Sequence, residues 1–207
     1  MTQNEVDFFD QLAPHWDADE VRSTPDRINH ILDLLPLGKG DSVLDLGTGT
    51  GVLLPYLAER VGTEGKVVGV DLSEGMLSHA RQKFGDLENV DLLLMDFEEE
   101  NLPGEYDLVM LYSVYPHLHF PKETIDWLVR MNMKKGGHIV IAFPSDEKFI
   151  NSIHHDRGSD SDHLMPAPQL AGVIRQWGYD VSVASDTPDA YILIISTSSD
   201  TEGSAQS

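Results

Sequence analysis

An apolar run that carries an acid and breaks into three alternating glycines, Val43-Leu44-Asp45-Leu46-Gly47-Thr48-Gly49-Thr50-Gly51, constrains the fold of this chain more than any other stretch. Val43, Leu44 and Leu46 suit a strand buried on both faces. The glycines let backbone approach a ligand closely. An apolar pattern from Val52-Leu53-Leu54 then opens a helix, whose first N–H groups have no partner inside it. Strand, glycine bend and helix start together predict a nucleotide-type cradle. Twenty residues past Gly51 a second apolar run, Val67-Val68-Gly69-Val70, ends in Asp71. A βαβ unit sets its ribose-binding carboxylate at that place. The spacing also discriminates among ligands. A dinucleotide site wants G-x-G-x-x-G, whereas here the third glycine comes one residue early and Asp45 stands two residues before the first. An acid there is a poor neighbour for a pyrophosphate and a good one for positive charge.

On these residues the chain resembles the class I S-adenosylmethionine-dependent methyltransferases. Asp45 to Gly51 with Val70-Asp71-Leu72-Ser73 look like the first two motifs of that family. Leu94-Met95-Asp96-Phe97, Tyr106-Asp107-Leu108-Val109 and Lys135-Gly136-Gly137-His138-Ile139 resemble the next three, in order. The resemblance implies an α/β fold: a Rossmann-like, doubly wound, seven-stranded sheet, mostly parallel with an antiparallel last strand and helices on both faces. It implies S-adenosyl-L-methionine as cofactor. By layout the nearest subgroup is the ubiquinone/menaquinone methyltransferases, but their Arg-Asn pair after strand four is here Tyr112-Ser113-Val114-Tyr115-Pro116. No Asn-Pro-Pro-Tyr or Asp-Pro-Pro-Tyr tetrad occurs there either, which removes the signature of methylation at base or glutamine amino groups. A small-molecule acceptor is expected, with its identity and the methylated atom open. The rival readings are a nicotinamide-dependent oxidoreductase and a non-catalytic metal- or ligand-binding protein on the same fold.

Length allows one well-buried domain and a short appendage. The expected division is 1–38 as N-terminal helices covering the cofactor site, 39–197 as the methyltransferase domain and 198–207 as a disordered tail. With 14 basic against 35 acidic residues the net charge is −21. That argues against nucleic acid, whose phosphates need Lys and Arg, and otherwise reads as a solvated surface. Cysteine is absent, so no disulfide, thiolate metal site or thiol nucleophile is expected. No run of eighteen apolar residues and no charged-then-apolar leader is present, so the expectation is a cytoplasmic protein without a membrane span. The oligomeric state stays open, a homodimer among the options.

Taken in order, Asn4 to Trp16 carries a helical stripe of Val6, Phe9, Leu12 and Ala13. Ser23-Thr24-Pro25 starts a second helix with a hydroxyl at its cap. Helices are expected over Val52–Val61, Ser73–Phe84, Pro121–Met133 and Pro168–Trp177. Strands are expected over Lys66–Val70, Val90–Met95, Tyr106–Leu111 and His138–Phe143. A closing hairpin pairs Tyr179–Ala184 with Tyr191–Ser196 across a turn of residues 185–190.

The resemblance assigns the backbone of Gly47, Gly49 and Gly51 to the methionine part of the donor and Asp45 to its ammonium. It assigns Asp71 to the ribose, Asp96 to the adenine amino group, and Phe97 or Met76 to the ring. Thr48, Leu72, Tyr112 and Trp16 complete the cofactor-binding candidates. For the acceptor side and proton removal the candidates are Tyr115, His117, His154, His155 and His163. The last three belong to a stretch with three histidines and three aspartates in ten residues, 154–163. It reads as a polar loop or lid, as a source of an acid or base, or as a divalent-metal site. Its spacing lacks the i,i+4 pair of a helical metal site, and no metal ligand is assigned.

Overall fold

A computed structural model describes residues 3–16, 22–156 and 163–197. In chain order the elements are α1 (Gln3–Leu12), α2 (Pro25–Asp33), β1 (Ser42–Leu46), α3 (Leu54–Val61), β2 (Lys66–Asp71), α4 (Glu74–Phe84), β3 (Val90–Leu94), β4 (Tyr106–Tyr112), a 3₁₀ turn (Tyr115–His117), α5 (Pro121–Met131), β5 (Met133–Phe143), α6 (Glu147–Asp156), α7 (Ala167–Gln176), β6 (Tyr179–Thr187) and β7 (Ala190–Thr197). The seven strands form one sheet in the order β3-β2-β1-β4-β5-β7-β6. Pairing is parallel through β5, and β7 lies antiparallel to both β5 and β6. The Rossmann-like arrangement expected from the sequence is the one observed.

Both faces of the sheet are buried, which is why β1, β2 and β4 read as unbroken apolar runs rather than as alternation. Side chains along a strand still go to opposite faces. Val43, Val67 and Leu108 join one core with Ile28 and Ile31 of α2 and Leu54 and Leu57 of α3. Leu44, Val68 and Val109 join the other with Ile125 and Leu128 of α5 and Leu170 and Ile174 of α7.

Five differences from the sequence reading each have a local reason. Pro25 opens α2, yet Thr24 makes no side-chain cap bond, and the Ser23 hydroxyl pairs instead with the Tyr112 hydroxyl at 2.9 Å. By contrast Ser73 caps α4 as expected, accepting from the Met76 N–H at 3.0 Å. Strand β5 starts at Met133, before the glycine pair, because Gly136-Gly137 fall in a register shift within the ladder rather than in a turn before it. Helix α5 stops at Met131. The buried Asn132 that follows donates to the carbonyls of Leu102 and Gly104, both at 3.0 Å. The closing hairpin is tighter than expected, with Pro188 and Asp189 alone between the strands.

The fifth difference lies in the His/Asp stretch. A polar loop or lid was one reading of 154–163, but α6 runs through Asp156 and includes the backbone of His154 and His155. Asp146 starts it by accepting the Phe149 N–H at 2.9 Å, and the buried Ile150 anchors it. The side chains at 153–156, residues 157–162 and the tail 198–207 lie outside the described residues.

Candidate active site

The chain winds outward from β1 through β2 to β3, then crosses back to place β4 on the other side of β1. Connections therefore diverge between the carboxyl ends of β1 and β4, and an open α/β sheet has its crevice at such a point. A cleft of about 830 Å³, its mouth included, lies there.

The floor of the cleft is the glycine bend, where each glycine meets a different constraint. Gly47 sits at φ +66°, and a Cβ on it would lie 2.3 Å from Cγ2 of Val114. The residue is therefore glycine both for its backbone and for the side chain pressed on it. At Gly49, φ +56°, a Cβ would meet no atom within 4 Å, so the absent methyl leaves room on the cleft side. Gly51 is packed away from the cleft, with Leu54, Phe84 and Ala80 all within 3.2 Å of where its Cβ would be.

Three N–H groups of the bend have partners already. Thr48 donates to the Val70 carbonyl at 3.0 Å, Gly49 to Oδ2 of Asp71 at 2.8 Å, and Gly51 to the Thr48 carbonyl at 2.9 Å. These three donors are held in, and the bend presents carboxylates. Such a floor suits a cation better than a phosphate.

Asp45 and Asp71 end β1 and β2, and both are buried, with 2% and 9% of their surface exposed. Burial pushes the Asp45 carboxyl up from 3.8 to about 7, against the Thr48 hydroxyl that donates to it at 2.7 Å, and the nearby Asp71 raises it further. Burial also raises Asp71, although the N–H groups of Ser73 and Gly49 stabilise its ionised form. Two carboxylates with no cation beside them are costly to ionise in a low-dielectric site. A positively charged ligand between them would relieve that cost.

The rim comes from remote parts of the chain. Phe9 of α1 meets Trp16 edge-on with ring centroids 6.1 Å apart, and meets His117 at 5.8 Å and 86°. Asp10, next to Phe9, turns to the other side, accepting from the Ser73 hydroxyl and from the Gly75 N–H at 2.9 Å. At the end of β4, Ser113 holds φ +58°, the one positive φ outside glycine among the described residues. That bend swings Val114 over Gly47 and carries the chain on to His117. A non-glycine residue held there is strained, and such residues concentrate at sites.

Of the residues singled out in the sequence, Asp45, Gly47, Thr48, Gly49, Asp71 and Leu72 line the cleft. So do Trp16, Met76, Phe97, Tyr112 and His117. Gly51 does not. Asp96 lies beside the cleft-lining Phe97 but turns its carboxylate to the Glu98 N–H at 3.0 Å. Tyr115 packs against the core, where burial raises its hydroxyl to about 12. His163 is exposed and outside the lining. Phe9, Ser23, Ser113 and Val114 line the cleft without having been singled out. Phe9 was one apolar residue in a helical stripe, and Ser23 looked like a cap. Only their distant partners mark them. Among the described residues no cluster of three or more His, Cys, Asp or Glu is placed to hold a metal ion, and no helix is long and apolar enough to cross a membrane.

Known proteins with similar sequence and fold agree with this geometry. The family model of a methyltransferase domain matches residues 37–180. Aklanonic acid methyltransferase DauC of Streptomyces sp. (strain C5) is 33% identical over 142 residues, covering 66% of this chain and 63% of that protein. A malonyl-[acyl-carrier protein] O-methyltransferase of Acetivibrio thermocellus is 31% identical over 137 residues, 65% of this chain and 46% of its own length. The chain thus spans less than two thirds of the curated relatives it matches. Among solved structures, a SAM dependent methyltransferase from Aquifex aeolicus superposes with a TM-score of 0.67 at 24% identity, covering 84% of this chain and 93% of that one. The DhpI-SAH complex gives 0.72 at 18% identity, over 94% and 95%.

Proposed function

This chain belongs to the class I S-adenosylmethionine-dependent methyltransferases, and we propose that it moves a methyl group from that donor to a small-molecule acceptor. The observation that carries this reading is the cleft floor: two buried carboxylates at or next to the ends of successive strands, beside a glycine bend in which the N–H groups of Thr48, Gly49 and Gly51 are engaged internally. S-adenosylmethionine would supply a methyl group activated on a sulfonium, with a neutral thioether as its leaving group.

The remaining work belongs to this chain's residues. Asp45 balances the ammonium of the donor's methionine part, and the open side of Gly49 admits its backbone-like portion. Asp71 keeps lone pairs beyond those taken by Gly49 and Ser73 for the ribose hydroxyls. Phe97 and Met76 flank the adenine, with Asp96 reaching its amino group once released from its own turn. Val114 and Tyr112 hold the acceptor end dry and in line with the methyl group. Where the acceptor carries a proton, His117 takes it, since imidazole is the side chain that accepts one near neutral pH. His154, His155 and His163 stay as further candidates for that role. Phe9, Trp16 and Ser23 line the cleft, which supports the N-terminal helices of 1–38 as the cover of the donor site. The same reading sets the enzyme in the cytoplasm and, with 35 acidic against 14 basic residues, away from nucleic acid.

Calorimetry with S-adenosylhomocysteine tests it. Wild-type protein is expected to bind that product and not NAD. Asp71→Ala, which removes a charged acceptor of hydrogen bonds, is expected to bind it about 30-fold or more weakly. Unchanged affinity in the variant removes the ribose assignment, and no binding by the wild type removes the whole reading.

A further inference from the structure

The outer half of the cleft differs in chemistry from its floor, and we infer that it takes an acceptor built on a planar ring, with no carboxylate or phosphate on the part that enters. This rests on the methyl-transfer reading and narrows it to a substrate class. Three rings from three elements meet at the rim: Phe9 on α1, Trp16 just beyond α1 and His117 on the turn after β4. Their edge-to-face geometry turns ring faces and edges toward one space, and a flat guest adds to such a set by the same offset or edge contacts. Below them lie the two carboxylates of Asp45 and Asp71.

No Lys or Arg stands among the described lining residues to balance an acidic guest. Arg22 lies 4.0 Å from the Phe149 ring centre and Lys83 lies 5.5 Å from that of Phe84, and neither lines the cleft. An anionic acceptor would therefore lose its hydration in a half-enclosed, apolar-walled space with no cationic side chain of the described lining to pair with it, the donor's sulfonium being its one counter-charge once the ammonium is matched to Asp45. Desolvating a poorly paired anion is costly. A neutral ring meets no such penalty.

Two probes that share a ring system and differ in charge decide the matter. Protein saturated with S-adenosylhomocysteine is titrated by calorimetry with 2-naphthol and with 2-naphthoate at pH 7.5. The expected result is saturable binding of naphthol, at least tenfold tighter than naphthoate. Phe9→Ala and the gentler Phe9→Leu should both weaken naphthol by a larger factor than they weaken S-adenosylhomocysteine, since they remove the ring from the rim. Naphthoate binding as tightly as naphthol, failure of both probes to bind, or naphthol affinity indifferent to Phe9, would each overturn the inference. Saturation with S-adenosylhomocysteine is verified first, so a protein that never takes the product indicts the donor site instead.

Discussion

The floor and the rim of the cleft are built by opposite strategies. The floor is contiguous: residues 45–51 and 71–76 supply its carboxylates, its bend and the capped start of α4, all within two βα units. Hydrogen bonds link it at short range, as from Gly49 to Asp71. The rim is assembled from afar. Ser23 reaches Tyr112 across 89 positions, and Phe9 meets His117 from opposite halves of the matched domain and its leader. On the proposed reading the floor takes the donor, a ligand common to a large family, and the rim takes the acceptor, which differs from member to member. Rigid scaffold carries the shared chemistry and appended segments carry choice.

Damage to the floor should therefore exceed damage to the rim. The largest effect is expected from Gly47→Ala. Its Cβ would meet Val114 at 2.3 Å in a left-handed backbone, and strain of that kind costs about 2–3 kcal/mol. Urea unfolding should show the loss, and S-adenosylhomocysteine binding should vanish below the unfolding midpoint.

Next comes the pH dependence of donor binding. Because burial lifts Asp45 to about 7 in the ligand-free protein, its ionised fraction grows as pH climbs from 6 to 8. Affinity for S-adenosylhomocysteine should rise about tenfold over that range, and Asp45→Asn should flatten the rise. Stability without ligand runs the other way. The folded protein holds the Asp45 proton longer than the unfolded chain, so this group's contribution is full below 3.8 and is lost as pH rises toward about 7.

A smaller effect is expected at the rim. Ser23→Ala breaks the 2.9 Å bond to Tyr112 and should cost about 1 kcal/mol in unfolding. It should shift the KM for the acceptor while leaving that for the donor within twofold. An equal shift in both would erase the distinction between the two regions. The smallest is the control, Lys66→Ala, which removes an exposed ion pair with Asp91 at the far end of β2. It should move stability by less than about 0.5 kcal/mol and neither KM.

The same contrast explains what could be read from sequence alone. The strands were legible because burial on both faces writes continuous apolar runs, and Ser73 was legible as a cap because capping is settled within four residues. The bend, both buried acids and most donor-side contacts share that local character. Gly51 shows its limit: glycine was read as ligand contact, and it is close packing against Ala80 and Phe84 that forbids a side chain there. The rim was illegible for a physical reason. An amphipathic stripe tells that Phe9 is turned inward but not what awaits it, and a serine before a proline looks the same whether it caps a helix or meets a tyrosine from a distant strand. Helix α6 was hidden by composition, since attention to its histidines and aspartate masked the apolar spacing of Phe149 and Ile150 that seats it.

Phe9 and Asp10 are neighbours on α1, one step of about 100° apart around its axis, yet one belongs to the aromatic rim and the other to the head of α4. That helix is thus keyed like a two-sided lock wafer. A slip of one position would set a carboxylate among the rings and a bulky ring against Gly75, where even a methyl group would stand 2.9 Å from Asp10. Insertions and deletions upstream of Phe9 should pass unnoticed, while a single-residue insertion between Phe9 and Trp16 should throw both alignments out together.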